Sequence, residues 1–95
     1  MRDYELTVVF NPEIAEEDIN TAIERVNQFI TQKGGLITEV NRWGRRKLAY
    51  PIKNFKEGNY ALTQLKLEPD QAAKLEANLR SWEEVLRYLL VRSEE

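Results

Sequence analysis

The sequence predicts an α+β domain in which a four-stranded antiparallel sheet carries two helices on one face. Four segments have the apolar pattern of strands, and two segments repeat apolar residues at the three- and four-residue steps of a helix. Their order is strand, helix, strand, strand, helix, strand, which is the split β-α-β arrangement, βαββαβ. Two helices on one side leave the other face of the sheet open to a partner.

The first strand and the first helix are distinguished by the spacing of their apolar residues. Residues Arg2–Phe10 alternate as in a half-buried strand, and Asn11-Pro12 ends the strand because proline cannot donate to a ladder. Apolar residues between Ile19 and Ile30 then recur at helical spacing, behind an acidic start that suits the helix dipole. We expect this helix to end at Lys33, with Gly34-Gly35 supplying a left-handed cap.

The middle of the chain is predicted to form a hairpin. Leu36–Arg42 is rich in β-branched residues and leads into a second alternating run, so we expect one long strand with a bulge near Gly44. A turn over Asn54–Asn59 then leads to a strand from Tyr60 to Leu67. Three residues of the first of these two strands are expected to point into the core: Leu48, Tyr50 and Ile52.

The last third of the chain predicts a second helix and a final strand. Pro69-Asp70 starts the helix, because both residues suit a first turn, and its apolar stripe continues until near Ser81. Val85–Val91 is apolar apart from Arg87, as expected for a strand, and Ser93-Glu94-Glu95 is a short acidic tail. Because the chain has 95 residues and no linker or repeat, we expect residues 1–95 to form a single domain.

The composition argues against an enzyme. The chain contains no cysteine and no histidine, which removes thiolate nucleophiles, thiolate zinc ligands and the commonest general base. The acidic run Glu16-Glu17-Asp18 is explained by its position at a helix start, so we expect no metal site there. The early apolar run is too short for a signal peptide or a membrane span. We therefore expect a cytoplasmic protein that does not associate with a membrane, needs no cofactor and binds no small-molecule substrate.

The stretch from Arg42 to Lys56, here called the basic strip, dominates the charge distribution. It contains six basic residues and no acidic one, so the rest of the chain must carry −8 for the total of −2. One concentrated positive region with aromatic residues inside it indicates a polyanion partner, and it favours RNA. The alternative is that these charges only keep an exposed hairpin soluble and prevent edge-to-edge pairing.

Several residues near or outside the basic strip are further candidates for RNA contact. Alternation places Tyr60 on the open face of the sheet, where its ring could stack on an unpaired base. Tyr50 is instead expected in the core. For Trp43, which could also stack on a base, we favour packing against the protein. Arg2 and Arg87 join the candidates because the first and last strands are expected to be neighbours.

Three blocks of the sequence resemble the bacterial small-subunit ribosomal protein S6 family. They are Met1-Arg2-Asp3-Tyr4-Glu5, the run from Trp43 to Ile52, and Gly58-Asn59-Tyr60 at matching intervals, and the likeness extends to about Arg92. The resemblance implies a ferredoxin-like fold and no enzyme activity. It also implies binding to the central domain of small-subunit (16S) ribosomal RNA, as a heterodimer with ribosomal protein S18, in support of subunit assembly and translation on the cytoplasmic ribosome.

The resemblance further implies RNA contacts at individual positions. Arg2 and Tyr4 match the family's N-terminal motif. The residues from Arg45 to Lys47 match its basic block, and Arg87 matches a basic position in its last strand. Together with the candidates from the residues themselves, the expected RNA-binding set is Arg2, Tyr4, Arg42, Arg45, Arg46, Lys47, Tyr60, Arg87 and Arg92.

Three other functions remain open on the same fold. An acylphosphatase-like hydrolase needs a phosphate-cradling loop with an arginine and a water-positioning asparagine, whereas Asn11-Pro12-Glu13 brings a proline and an acid to that turn. An RNA-recognition module carries a basic-glycine-aromatic signature, which the segment from Tyr60 to Leu67 lacks. A protein–protein scaffolding module would keep the fold and would bind with little dependence on salt.

Overall fold

Six elements follow one another in the order that the sequence predicts. The structure, a computed structural model, describes residues 1–93, so Glu94 and Glu95 of the predicted acidic tail lie outside the described residues. The four strands are β1 (Arg2–Phe10), β2 (Leu36–Ile52), β3 (Phe55–Leu67) and β4 (Val85–Arg92). The two helices are α1 (Glu16–Gln32) and α2 (Pro69–Arg80). Within the described residues, neither helix combines the length and the apolar character needed to cross a membrane.

The strands form one antiparallel sheet in the order β2-β3-β1-β4. The first strand is central, and Val9 illustrates its position because it lies opposite Tyr60 on β3 and opposite Arg87 on β4. The buried stripes of α1 and α2 pack against alternate residues of the same strands, so both helices cover one face. The predicted α+β class, with a four-stranded antiparallel sheet and two helices on one face, is confirmed.

The core lies between the sheet and the two helices. Alternate residues of β1, from Tyr4 to Phe10, point into it together with alternate residues of β3. The helices add apolar residues that recur every three or four positions. These side chains and the alternate side chains of the strands pack together in one apolar layer. The helical members of the core are Ile19, Ala22, Val26 and Ile30 of α1 and Ala72, Leu75 and Leu79 of α2.

A pair of glycines ends α1. Gly34 has a φ of +83°, and its N–H donates to the Thr31 carbonyl at 3.1 Å, while the Gly35 N–H donates to the Ile30 carbonyl at 2.9 Å. These two bonds form a Schellman motif, which satisfies carbonyls that have no partner inside the helix. The predicted left-handed cap is present, with Lys33 as the C-cap residue.

Substituting Gly35 should cost more stability than substituting Gly34. A Cβ at Gly35 would lie 2.7 Å from Ile30 Cγ2, 2.8 Å from Leu67 Cδ1 and 2.9 Å from the Ile30 carbonyl oxygen. Because this carbonyl belongs to a helix, Gly35→Ala should lower the free energy of unfolding by about 2–3 kcal/mol. The matched control is Gly34→Ala. A Cβ there would meet no atom within 4 Å, so only the strained positive φ should reduce stability, by about 1 kcal/mol. Urea unfolding of both variants measures the difference, and equal losses would contradict the close packing.

The β2–β3 hairpin is longer than predicted. The second strand runs to Ile52 and the third begins at Phe55, so the predicted turn over Asn54–Asn59 is wrong. The turn consists of Lys53 and Asn54, with φ angles of 50° and 70°. Positive φ at both central residues is the type I′ geometry, whose twist matches that of two paired strands. The sequence pattern did not predict this turn, because the turn contains no glycine, the residue that usually marks such turns.

The bulge predicted near Gly44 is present. Arg42 lies opposite Ala61 and Gly44 lies opposite Tyr60, so two steps along β2 correspond to one step along β3. Gly44 has a φ of +80°, which glycine adopts readily. The extra residue shifts the alternation of side chains along β2. Arg42, before the bulge, lies on the helix side of the sheet opposite Ala61, whereas Trp43 reaches the open face.

This shift overturns the expectation that Leu48, Tyr50 and Ile52 anchor the basic strip in the core. Tyr50 is 56% exposed, and Leu48 and Ile52 are only partly buried. One extra residue moves every following side chain to the other face of a strand, so Leu48 lies on the open face rather than under the helices. A Cβ placed on Gly58 would meet both Val9 Cγ1 and Leu48 Cδ2, so Leu48 lies over Gly58 on the same face as Val9.

Candidate nucleic-acid interface

The predicted RNA-binding residues lie at two ends of the sheet. Arg2, Tyr4 and Arg92 come together near the start of β1, where Arg92 lies opposite Tyr4. The others lie toward the hairpin end, where Arg87 is opposite Val9. Because Tyr4 and Val9 are five residues apart in an extended strand, about 17 Å separates the two groups. The residues at the hairpin end are Arg42, Arg45, Arg46, Lys47, Tyr60 and Arg87.

Three side chains form an aromatic and cationic cluster on the open face. The rings of Trp43 and Tyr60 stack with their centroids 6.4 Å apart and 17° between their planes. The Arg46 Cζ atom lies 5.7 Å from the centroid of the Trp43 ring, a favourable cation–π distance. Trp43 is exposed, so its ring packs on Tyr60 and still presents surface to solvent. The cluster offers ring faces and a guanidinium side by side, which suits a nucleic acid.

A second contact holds the end of the hairpin against β4. Arg87 Nη1 donates a hydrogen bond of 2.8 Å to Tyr50 Oη, and the Arg87 Cζ atom lies 5.8 Å from the centroid of the same ring. Arg87 is exposed and lies opposite Val9, which places it on the open face. The hydrogen bond thus joins β2 to the opposite edge strand of the sheet.

Two arginines of the basic strip are bound by the protein itself. Arg42 pairs with Glu16 Oε2 at 2.6 Å and donates to Asn20 Oδ1 at 2.8 Å, which fixes it against α1. Arg45 donates to the Pro12 carbonyl at 2.6 Å and lies 3.4 Å from Glu57 Oε2. These bonds tie the hairpin to the body of the protein and partly neutralise both guanidinium groups. Of the basic block, Arg46 and Lys47 are the better placed for an external anion.

The structure removes Tyr4 from the candidate surface. Its side chain is 7% exposed and belongs to the core, so its ring cannot stack on a base. Tyr4 keeps step with Leu6 along β1, and this alternation alone places it inside. Arg2 and Arg92 are both exposed at this end of the sheet and remain candidates.

The composition of the rest of the open face was not predicted from the sequence. Away from the hairpin, this face carries exposed apolar residues of β4, Leu89 and Val91, beside the acidic residues Asp3 and Glu5 of β1. Alternation along β4 would have identified Leu89 and Val91, since they keep step with Arg87. Within residues 1–93, no three acidic side chains are grouped so as to hold a metal ion.

Sequence comparisons identify relatives over the whole chain. A family model described as Ribosomal protein S6 matches residues 3–92. The small ribosomal subunit protein bS6 of Moorella thermoacetica is 38% identical over 95 residues, which cover 100% of this chain and 97% of the relative. The bS6 protein of Caldanaerobacter subterraneus subsp. tengcongensis is 42% identical over 95 residues, which cover 100% of both chains.

Structural comparisons agree with the sequence comparisons. The crystal structure of 30S ribosomal protein S6 from Thermotoga maritima matches with a TM-score of 0.91 and 34% identity, over 96% of this chain and 86% of the other. The C-terminal domain of MgtC from Mycobacterium tuberculosis matches with a TM-score of 0.65 at 11% identity, which shows a shared fold alone. The predicted ferredoxin-like class is therefore confirmed.

These comparisons decide between the functions that remained open on this fold. The relatives are structural ribosomal proteins, so the expectations of a cytoplasmic ribosomal location and of a protein that is not an enzyme are confirmed. The hydrolase alternative is correspondingly excluded. Because the family model spans nearly the entire chain and the relatives share more than a third of its residues, this protein belongs to the ribosomal protein S6 family of the small ribosomal subunit.

Proposed function

We propose that this protein binds the central domain of small-subunit (16S) ribosomal RNA through its basic hairpin, and ribosomal protein S18 through the open face of its sheet. In this role it supports assembly of the small subunit and translation. The observation that carries the RNA contact is the outward placement of Arg46 and Lys47 on a hairpin that Arg42 and Arg45 hold in position.

The RNA contact rests on charge and on ring faces. Arg46 and Lys47 can neutralise backbone phosphates, and the counterions that they release make such binding weaken as salt increases. Trp43 and Tyr60 lie beside Arg46 and can stack on an unpaired base. Phosphate contacts set the position of a protein on RNA, and stacking adds a preference for unpaired nucleotides.

The partner contact rests on the other half of the open face. Leu89 and Val91 expose apolar surface there, beside Glu5 and beside Asp3, which forms an ion pair of 3.5 Å with Lys66 on the same face. An apolar area with a complementary charge at its rim is typical of a protein–protein interface. A basic ribosomal protein fits the apolar surface and the Glu5 carboxylate of this half of the face, whereas Glu5 would repel RNA.

The double variant Arg46→Gln/Lys47→Gln tests the RNA contact without disturbing the bonds of Arg45. Loss of two phosphate contacts should reduce the slope of log affinity against log salt by roughly 1.5. We expect about 10- to 100-fold weaker binding of a central-domain RNA fragment in the presence of S18. Filter binding or fluorescence anisotropy over a series of salt concentrations measures both quantities.

The matched control is Lys33→Gln/Lys74→Gln, which removes the same charge from exposed positions at the end of α1 and on α2. This control should bind RNA with the affinity and the salt slope of the unmodified protein. If the Arg46→Gln/Lys47→Gln protein also keeps both, the hairpin is not the RNA surface. Binding to S18 with little salt dependence and no RNA contact would then favour the scaffolding alternative.

A further inference from the structure

A second positive surface lies beside the hairpin turn, at the free edge of β4. A cavity of about 380 Å³ opens there between the turn, the end of α2 and the first residues of β4. Among the described residues that line it, three side chains are basic and none is acidic. The basic residues are Lys53, Arg80 and Arg87. The expected RNA-binding set contains Arg87 but neither Lys53 nor Arg80.

Both arginines of this cavity are oriented by tyrosine hydroxyl groups. Arg80 Nη1 donates to Tyr88 Oη at 3.0 Å on the helix side of the sheet, and Arg87 Nη1 donates to Tyr50 Oη at 2.8 Å on the open side, so the two arginines flank the edge of β4 from its two faces. A phenol hydroxyl is a neutral acceptor at pH 7, so it orients a guanidinium group without cancelling its charge. Each guanidinium has five donors, and the remaining donors can bind an oxyanion in the bidentate manner that arginine favours.

The arginines bound elsewhere in the fold make the contrast clear. Arg25 pairs with Glu84 Oε2 at 2.7 Å, and Arg42 pairs with Glu16 Oε2 at 2.6 Å. A carboxylate partner removes most of the attraction that such an arginine would exert on a second anion. Arg80 and Arg87 keep that attraction, since their hydrogen-bond partners are uncharged.

We propose that Lys53, Arg80 and Arg87 form a second phosphate-binding site for the RNA backbone, on the opposite side of the hairpin turn from Lys47. The ligand chemistry is that of a phosphodiester, because guanidinium groups bind phosphate oxygens well and no carboxylate among the described lining residues repels them. This inference rests on the proposed function, because it extends the RNA surface rather than naming a different ligand.

The two positive surfaces are close enough for one RNA segment to contact both. A neighbouring cavity contains Asn54, the second residue of the turn, and is lined by three basic side chains, Arg45, Lys47 and Lys56, and by two acidic ones, Glu13 and Glu57. Lys53, the first residue of the turn, lines the cavity that contains Arg80. Only the two-residue turn separates the cavities, so the hairpin tip presents cations on both sides. A backbone that follows the tip would meet both sets in succession.

The double variant Lys53→Asn/Arg80→Gln tests this site. Asparagine suits the positive φ of position 53, and glutamine at position 80 retains a donor for Tyr88, so the hairpin and α2 should stay folded. Binding of the central-domain RNA fragment with S18 present should weaken by about 10- to 100-fold. The slope of log affinity against log salt should fall by roughly 1.5. The control with the same charge change is again Lys33→Gln/Lys74→Gln, which should leave both values unchanged.

The outcomes separate this inference from the proposed function. If Lys53→Asn/Arg80→Gln keeps the affinity and salt slope of the unmodified protein while Arg46→Gln/Lys47→Gln loses them, the second site is overturned and the proposed function stands. If neither double variant changes RNA binding, both are overturned. The charge-conserving variant Arg80→Lys should keep the salt slope, and loss of the slope in that variant would contradict a phosphate contact. Thermal unfolding of each variant verifies that the fold is intact.

Discussion

Replacing Leu6 by alanine is expected to lower the free energy of unfolding by about 3–4 kcal/mol. Leu6 is 0% exposed and lies on the central strand, opposite Thr63 on one side and Leu90 on the other. Because both neighbouring strands are hydrogen-bonded to β1, the backbone has little freedom to close the cavity. A domain of this size is stable by about 5–14 kcal/mol, so the loss is a large fraction. Thermal unfolding should show a midpoint lower by about 12 °C or more.

Leu89→Ala is the matched control on the opposite face of the sheet. Leu89 is 53% exposed and adjoins Leu90, so it lies one position along β4 from a residue that packs on the core. Its truncation should change the free energy of unfolding by less than about 1 kcal/mol. Similar losses for Leu6→Ala and Leu89→Ala would contradict a sheet with one buried and one open face.

Placing a carboxylate at Val91 is expected to prevent tight binding of the protein partner. Val91 is 47% exposed on the open face and lies opposite Glu5. An aspartate there would bring an unpaired charge into an apolar contact and add to existing negative charge, at a cost of about 2 kcal/mol or more. We therefore expect Val91→Asp to weaken binding of ribosomal protein S18 by roughly 30-fold. Titration calorimetry with purified S18 measures this change.

Val40→Asp is the matched control for the partner surface. Val40 is 40% exposed on β2, but it lies opposite Thr63 and thus on the helix side of the sheet. Its replacement should alter S18 binding by less than about threefold, because that position is outside the proposed contact. Unchanged binding in Val91→Asp would show that the partner uses another surface, while the RNA contact of the hairpin would still be tested by its own variants.

The elements and most of the core could be predicted because their signals are local. Alternation along β1 identifies Leu6 and Phe10 as buried, and helical spacing identifies Ile19 and Ile30. The outer half of β2 could not be predicted in the same way. The sequence shows a glycine at position 44, but the facing of Leu48 depends on whether the strand gains a residue there, and this is decided by its pairing with β3.

The sequence predicted the positive charge of the candidate site but not the hydrogen bonds and ion pairs that its residues form. The sequence shows six basic residues in the basic strip, yet it gives no sign that Arg42 pairs with Glu16 or that Arg45 bonds to Pro12. Those partners are 26 and 33 residues away along the chain, so only the folded structure brings them together. Tyr4 shows the reverse case, because its alternation with buried neighbours predicted its position better than its match to a motif did.

The bulge at Gly44 reverses, within one strand, which face of the sheet each following side chain occupies. Before it, the residues of β2 that face α1 include Arg42, and after it the phase of alternation is reversed. The two halves of the strand therefore use opposite phases of the alternation, with Arg42 bonded to α1 before the bulge and Arg46 beside Trp43 on the open face after it. Deleting a single residue at the bulge would exchange the faces of Arg46 and Lys47 and turn the binding half of the hairpin over.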